Sequence, residues 1–248
     1  MQWSEEGTVL SLRRHGEANT LLEFFTSQHG RHLGLVRGGR SQRMRSQLQP
    51  GNRLIATWRA RLPEHLGTFT VEPVKLRAAV LMDNPLRLAA LSSLCAMAGL
   101  IPEREPHEQL YEAFEIVLSA LEDDDIWPAL MIRWELGLLE ELGFGLDLKT
   151  CAATGTTENL IYVSPKSGRA VSNEAGEPYK DKMLVLPPFL NPQTRSDNIT
   201  QNDIAQGFRL TGYFLQHHIY TPRRSKFPEP RERLQTKFES AIPSAKNE

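Results

Sequence analysis

The stretch TLLEFFTSQHGRHLGLVRGGRSQRMR, residues 20–45, decides how the chain is read. Its first part is apolar and β-prone. Thr20–Thr26 runs into Gln28-His29-Gly30, whose glycine suits a hairpin, and His32–Val36 continues to a break at Arg37-Gly38-Gly39. Its last part is dense in arginine. The strand pattern repeats outward in both directions. Gly7–Arg14 alternates toward the turn His15-Gly16, and in NRLIATWRARL (52–62) Leu54, Ala56, Trp58 and Ala60 alternate with Arg53, Ile55, Thr57, Arg59 and Arg61. GTFTVEPVKL (67–76) is a fifth run, whose Pro73 sends its end to a sheet edge. Five short strands joined by turns predict a small closed or nearly closed barrel. The OB-fold is the leading candidate and an SH3-like barrel the alternative, which alternation alone does not separate.

From Asp83 the period changes. Asn84 as N-cap with Pro85 at the first helical position opens a helix that stops at Gly99 and Pro102. Pro106 opens a second, with Leu110, Phe114, Val117, Leu118 and Leu121 on one face. Pro128 begins a third, with Leu130, Trp134, Leu138 and Leu142 spaced by four, ending at Gly143; Asp203–Ile219 makes a fourth. Between the last two lies an irregular region containing LIYVS (160–164) and a hairpin at Pro165-Lys166-Ser167-Gly168. The tail from Pro222 is rich in Pro, Arg and Lys, and its last residues, SAKNE, are expected to be mobile. The expected class is α+β. An OB-fold domain spans 1–80 and a helical domain 81–248, with a small, metal-free, zinc-ribbon-like insertion at about 147–190.

No run reaches the length of a membrane span, and MQWSEEGTVL lacks the basic and apolar regions of a signal peptide. Cys95 and Cys151 are the only cysteines, which excludes a disulfide framework and points to a reducing, cytoplasmic setting. The net charge of −1 hides a strong asymmetry: residues 1–80 carry 12 Lys+Arg against 6 Asp+Glu, and residues 81–150 carry 4 against 14. A basic head and an acidic middle imply two surfaces with different partners.

The basic head is concentrated between Arg31 and Arg61, which holds eight arginines and no acid. Arg37, Arg40, Arg43 and Arg45 crowd into RGGRSQRMR; Gly38 and Gly39 let backbone approach a ligand, and arginine's planar fork suits phosphate. A solvated surface loop is the alternative, but ordinary surfaces intersperse both signs, so nucleic acid or another polyanion is the favoured ligand. Arg14, Arg59 and Arg61 are further candidate contacts for the same ligand, and Arg223, Arg224 and Lys226 offer a second basic patch. Of the barrel aromatics Phe24, Phe25, Trp58 and Phe69, alternation sends most to the core, so none is assigned to base stacking. Nothing supports catalysis: P-loop, G-x-S-x-G, H-E-x-x-H and dinucleotide glycine patterns are missing. Glu122–Asp125 sits where acids favour the helix that follows, and His217-His218 is not spaced as a metal pair. Cys151 is followed three residues on by Thr154, so no cofactor or metal is expected. Arg133 either pairs with Glu135 or Glu140 or accepts a carboxylate from a docked peptide.

The ordered segments GTVLSLRRHGEANTLLEFFTSQHGRHLGLVRGGRSQ, LQPGN (48–52), PALMIRWELGLLEELGFGLDLKTCAATG and YVSPKSGRAVS together resemble the RecO family of bacterial recombination mediators. The likeness runs from about residue 5 to residue 234. It implies an N-terminal OB-fold, a helical domain and a small inserted module that binds zinc through four cysteines in some members; with only Cys151 here, zinc does not carry over. It also implies single-stranded DNA binding and annealing, association with RecR and with the C-terminal tail of SSB, and help in loading RecA, in the cytoplasm at the nucleoid. By position, the family's basic loop falls on Arg37, Arg40, Arg43 and Arg45, and its SSB-tail arginine on Arg133. A protein adaptor with weak DNA binding and an RNA-binding OB protein are the competing functions.

Overall fold

Alternating apolar residues make Gln2–His15 (β1) a strand long enough to pair with two neighbours, its first half with one and its second with another. It is followed by Asn19–Thr26 (β2), Gly30–Val36 (β3), the short helix Gln42–Gln47 (α1), Arg53–Arg59 (β4) and Thr68–Lys75 (β5). The computed structural model describes residues 1–194 and 198–241, so the terminal SAKNE lies outside the described residues. The strands close into a barrel in the order β1-β2-β3-β5-β4. All pairings are antiparallel except β3 with β5, which meet in parallel at Leu35 and Thr68. This five-stranded Greek-key closure, in the order 1-2-3-5-4, is the OB-fold and removes the SH3-like alternative. Past Thr68 no β3 partner continues along β5, so Pro73 does stand at an edge.

Period-two alternation fills the barrel with Val9, Leu22, Phe24, Val36, Leu54, Ala56, Trp58 and Phe69. His32 points into the same core, 5% exposed, between Trp58 (4.8 Å) and Trp3 (5.3 Å), and neither ring nitrogen has a hydrogen-bond partner. Burial, with smaller contributions from Arg104 and His29, lowers its pKa from 6.5 to about 4. An unfolded chain therefore takes up this proton near pH 6.5 while the folded one refuses it until about 4. Stability contributed by the neutral ring is complete above the first value and lost as pH falls toward the second. Denaturation of the full chain should be easier at pH 4.5 than at pH 7, by about 2–3 kcal/mol on this account. His32→Phe should remove that part of the pH dependence, and an unchanged profile in the variant would refute the assignment.

Helices α2 (Arg77–Leu81), α3 (Pro85–Ala98) and α4 (Glu108–Ala120) follow the barrel. Asn84 caps α3 as expected, its Oδ1 accepting from the N–H groups of Leu86 (3.0 Å) and Arg87 (3.2 Å). By packing, the chain forms two compact units, Met1–Asp124 and Asp125–Glu248, so these helices group with the barrel; strands give way to helices near residue 80, earlier than the packing divides.

The second unit starts with α5 (Trp127–Glu141), which stops at Gly143, where φ is +84°. A small antiparallel sheet follows, built from β6 (Leu160–Val163), β7 (Ala170–Ser172) and, after α6 (Asn173–Gly176), β8 (Leu184–Val185), in the order β7-β6-β8. The expected hairpin after LIYV closes through Gly168 N–H to Ser164 O and Ser164 N–H to Arg169 O, both 2.9 Å. Then come α7 (Gln201–Phe214), opened by a Thr200–Asp203 capping box, a π turn over Leu215–Tyr220, and α8 (Glu229–Ser240). The tail beyond Pro222, read as merely basic, thus contains a helix. Its signal was hidden because α8 is very polar and buries only Arg231 and Leu234.

That buried arginine ties α8 to α5 and α7. Arg231 and Glu135 are both 0% exposed, and Nε and Nη2 donate to the two carboxylate oxygens at 2.6 and 3.0 Å. Nη2 also donates to Phe208 O (2.7 Å) and Thr211 Oγ1 (3.1 Å), the Thr211 hydroxyl donates to Glu135, and the guanidinium lies 4.6 Å over the Phe208 ring.

Candidate nucleic-acid interface

The arginine set converges because two connections meet at one end of the barrel. The β1–β2 turn at Gly16 and the β3–β4 connection are laced together: Arg40 N–H donates to Ala18 O (3.1 Å), Gly38 N–H to Asn19 Oδ1 (3.1 Å), and Arg40 Nη1 to Glu17 O (2.6 Å). Gly39 must be glycine here, since a Cβ would sit 2.9 Å from Thr20. Gly38 is needed for a different reason, its φ of +64°.

The connection, expected as a loop, contains the helix α1. Met44 packs against the barrel core and Leu48, 1% exposed, belongs to it, so an i, i+4 apolar pair anchors the turn. Buried Asn52 completes it: Nδ2 donates to Ser46 O (3.1 Å) and Gln47 O (2.9 Å), and Oδ1 accepts from Ala78 N–H (3.0 Å). The unpaired carbonyls of α1 and an amide of α2 are thereby satisfied by one amide side chain.

The result is a cleft of about 360 Å³ lined by Arg13, Arg14, Arg40 and Arg45, with Leu12 and Leu48 among its apolar walls and no acid in its lining. Four cations without a carboxylate form an anion-attracting concavity. Of the expected arginines, the structure brings Arg14, Arg40 and Arg45 together here. Arg37 and Arg43 are exposed on the same connection but do not line the cleft. Arg13 was missed because strand alternation favours only one of two adjacent arginines, whereas both are exposed near the end of β1. Arg59 and Arg61 are also exposed, but at the opposite end of β1, where Arg59 faces Gln2.

The acid-free sequence is not acid-free in space. Arg31 is held by Glu23 (2.5 Å) and Glu103 (3.5 Å), and Arg53 by Glu6 (2.7 Å) and Glu115 (3.6 Å). Glu115 also takes the buried Arg77 at 2.6 Å. The outer face of β2–β3, where OB barrels commonly bind, is partly covered within this unit. Phe25 is fully buried against Tyr111 (5.1 Å) and Phe114 (5.6 Å), and Arg31 Nε donates to Ile101 O at 2.6 Å. Phe24, Phe25, Trp58 and Phe69 are all at most 3% exposed, so none offers a free stacking face.

In the second unit, Arg133 is exposed on α5; Nη2 donates to Phe189 O (3.1 Å) and the guanidinium lies 5.8 Å from the Phe189 ring centre. Glu135, one of its expected partners, is committed to Arg231 instead. Arg223 and Arg224 are exposed between the π turn and α8. Cys151 is buried, its thiol bonded to Ser172 Oγ (3.4 Å) and accepting Ser172 N–H (3.3 Å). With Thr154 three residues on and no group of three or more His, Cys, Asp or Glu placed to hold a metal among the described residues, zinc does not fit this insertion. No helix among the described residues is long and apolar enough to cross a membrane.

An OB barrel with a basic cleft, joined to a helical unit carrying a small sheet, defines a class of proteins built on an oligonucleotide-type barrel with an appended helical domain. Residues 1–77 match the family described as Recombination protein O N terminal, and residues 82–227 match Recombination protein O C terminal. The chain is 54% identical over 238 residues to DNA repair protein RecO of Methylorubrum extorquens (strain PA1), covering 94% of this chain and 97% of that protein. The proteins of the same name from Mesorhizobium japonicum and Brucella abortus (strain 2308) are 52% and 48% identical, covering 93% of this chain and 91% and 93% of theirs. The chain belongs to the RecO family, and its role lies in DNA repair and recombination.

Proposed function

We propose that this chain is a non-enzymatic recombination mediator that binds single-stranded DNA and anneals complementary strands. The observation that carries this reading is the convergence of Arg13, Arg14, Arg40 and Arg45 on one acid-free cleft of an OB barrel. Phosphates are the anions that a row of guanidinium groups recognises best, and a cleft near strand ends leaves bases free to pair. Arg37 and Arg43 supply further positive field on the same connection, and Arg59, Arg61, Arg223 and Arg224 are secondary contacts. The test is binding and annealing of labelled single strands across a salt series. Affinity falls linearly on a log–log scale, by about 0.7 per phosphate contacted. A flat salt response would refute the reading, and stronger binding to RNA of the same sequence would favour the RNA alternative.

In the same reading, the chain works with RecR and SSB to help load RecA, in the cytoplasm at the nucleoid. Arg133 supports the SSB part. Its guanidinium is exposed yet steadied by Phe189, as suits a carboxylate-bearing peptide. Titration with an SSB C-terminal tail peptide should give binding that weakens roughly tenfold or more in Arg133→Ala. Equal binding by both proteins would remove Arg133 from the site, and no binding by the parent would remove the SSB contact.

A further inference from the structure

The end of the barrel away from the arginine cleft carries a stack of rings. Trp58, 2% exposed, belongs to the core. Trp3 lies nearly parallel to it, with centres 6.0 Å apart at 19°, and His29 stacks on Trp3 at 4.2 Å and 11°. The series runs from the interior to the surface, where the His29 side chain is 35% exposed. Trp3 covers one face of the imidazole, and about a third of the side chain remains exposed.

The ring is oriented before any ligand arrives. His29 Nδ1 is hydrogen-bonded to Glu5 Oε2 at 2.7 Å, Glu5 Oε1 accepts Gln28 N–H at 2.8 Å, and His29 N–H donates to Thr26 Oγ1 at 3.1 Å. Gly30 takes the φ of +62° that the turn needs, and its missing Cβ leaves room for Glu105 O, which a Cβ would meet at 1.9 Å. Cations lie at the same strand ends, on the outer face: the register that sets Trp3 opposite Trp58 sets Gln2 opposite exposed Arg59, two residues before exposed Arg61. An oriented, partly exposed ring on a barrel whose strand ends carry exposed arginines is the combination a single-strand site uses.

We infer that His29 is a stacking platform for one unpaired nucleobase, at a contact separate from the arginine cleft. At about 3.3 Å per residue, β2 alone separates the two by roughly 23 Å. The inference rests on the single-strand reading of the cleft, and it gives Arg59 and Arg61 a phosphate to meet away from that cleft.

The experiment compares affinity for an oligothymidylate with affinity for an oligomer of equal length whose bases are replaced by abasic sites, at fixed salt. The parent protein should prefer the oligothymidylate. His29→Ala should lose roughly fivefold or more of that preference, with its salt slope unchanged because every phosphate-binding cation is still in place. His29→Phe, which keeps a planar ring without the bond to Glu5, should retain the preference. No preference in the parent, an undiminished preference in His29→Ala, or equal loss in both variants would overturn the platform while leaving the cleft standing. Failure of the parent to bind single strands at all would overturn both.

Discussion

Replacing Arg13, Arg14, Arg40 and Arg45 together by alanine is expected to weaken single-strand binding by roughly 100-fold or more near physiological salt, with the salt slope reduced by about 0.7 for every phosphate that is no longer neutralised. The size follows from convergence. Guanidinium groups lining one cleft of about 360 Å³ act on the same short stretch of backbone, so their removal abolishes a focused field and not four scattered ones. The paired control is Arg37→Ala with Arg43→Ala. Both are exposed on the same connection outside the cleft lining, and the pair should cost several-fold at most. Arg40 has a second task, because its donation to Glu17 O ties the β3–β4 connection to the β1–β2 turn. An Arg40→Lys variant therefore separates charge from lacing: the ammonium keeps the positive charge but loses the planar fork. If the cleft variant and the control pair lose affinity equally, binding follows overall charge and the cleft is not the site.

The second large effect concerns stability. Arg231→Ala should destabilise the Asp125–Glu248 unit by about 3–5 kcal/mol, because it leaves the Glu135 carboxylate buried and without its cation. Trp127 and Trp134 both lie in that unit and provide a fluorescence signal for denaturant unfolding. Replacing both partners, Arg231→Met with Glu135→Leu, should recover most of the loss, because the pair offsets its own desolvation and apolar groups of similar size need no such offset. A small effect of Arg231→Ala would mean that α8 is held by buried Leu234 and by Phe238, whose ring stacks on Phe208 at 5.2 Å. Gly212 belongs to the same design: a Cβ there would lie 2.6 Å from Gln235 Oε1, so α7 leaves room for α8 to approach.

Much of this architecture was legible from residue patterns. Alternation in Leu54, Ala56 and Trp58 against Arg53, Ile55 and Thr57 placed the barrel core, and Asn84-Pro85 marked a helix start that the structure reproduces. These are local signals, set by backbone stereochemistry within a few residues. The α1 and α8 helices escaped because the contacts that stabilise each come from outside the helix and leave no apolar periodicity within it. Asn52 and the barrel core hold the first, and Glu135 holds the second, 96 residues before Arg231.

The same division governs the arginine stretch. That residues 31–61 are basic, largely strand-borne and suited to a polyanion is readable from chain order, because charge and periodicity are properties of that order. Folding sets which arginines stay unpaired by acids and where they gather. It neutralised Arg31 and Arg53 with glutamates from elsewhere, sent Arg59 and Arg61 to the far end of the barrel, and added Arg13 from the first strand. It also laid aromatic side chains of α4 over Phe25 on the outer face of the barrel, and formed a concave basic cleft where the β1–β2 turn meets the β3–β4 connection. Electrostatic attraction depends on distance in space, and pairs such as Arg53 and Glu115 become neighbours only when the barrel closes and its helices pack.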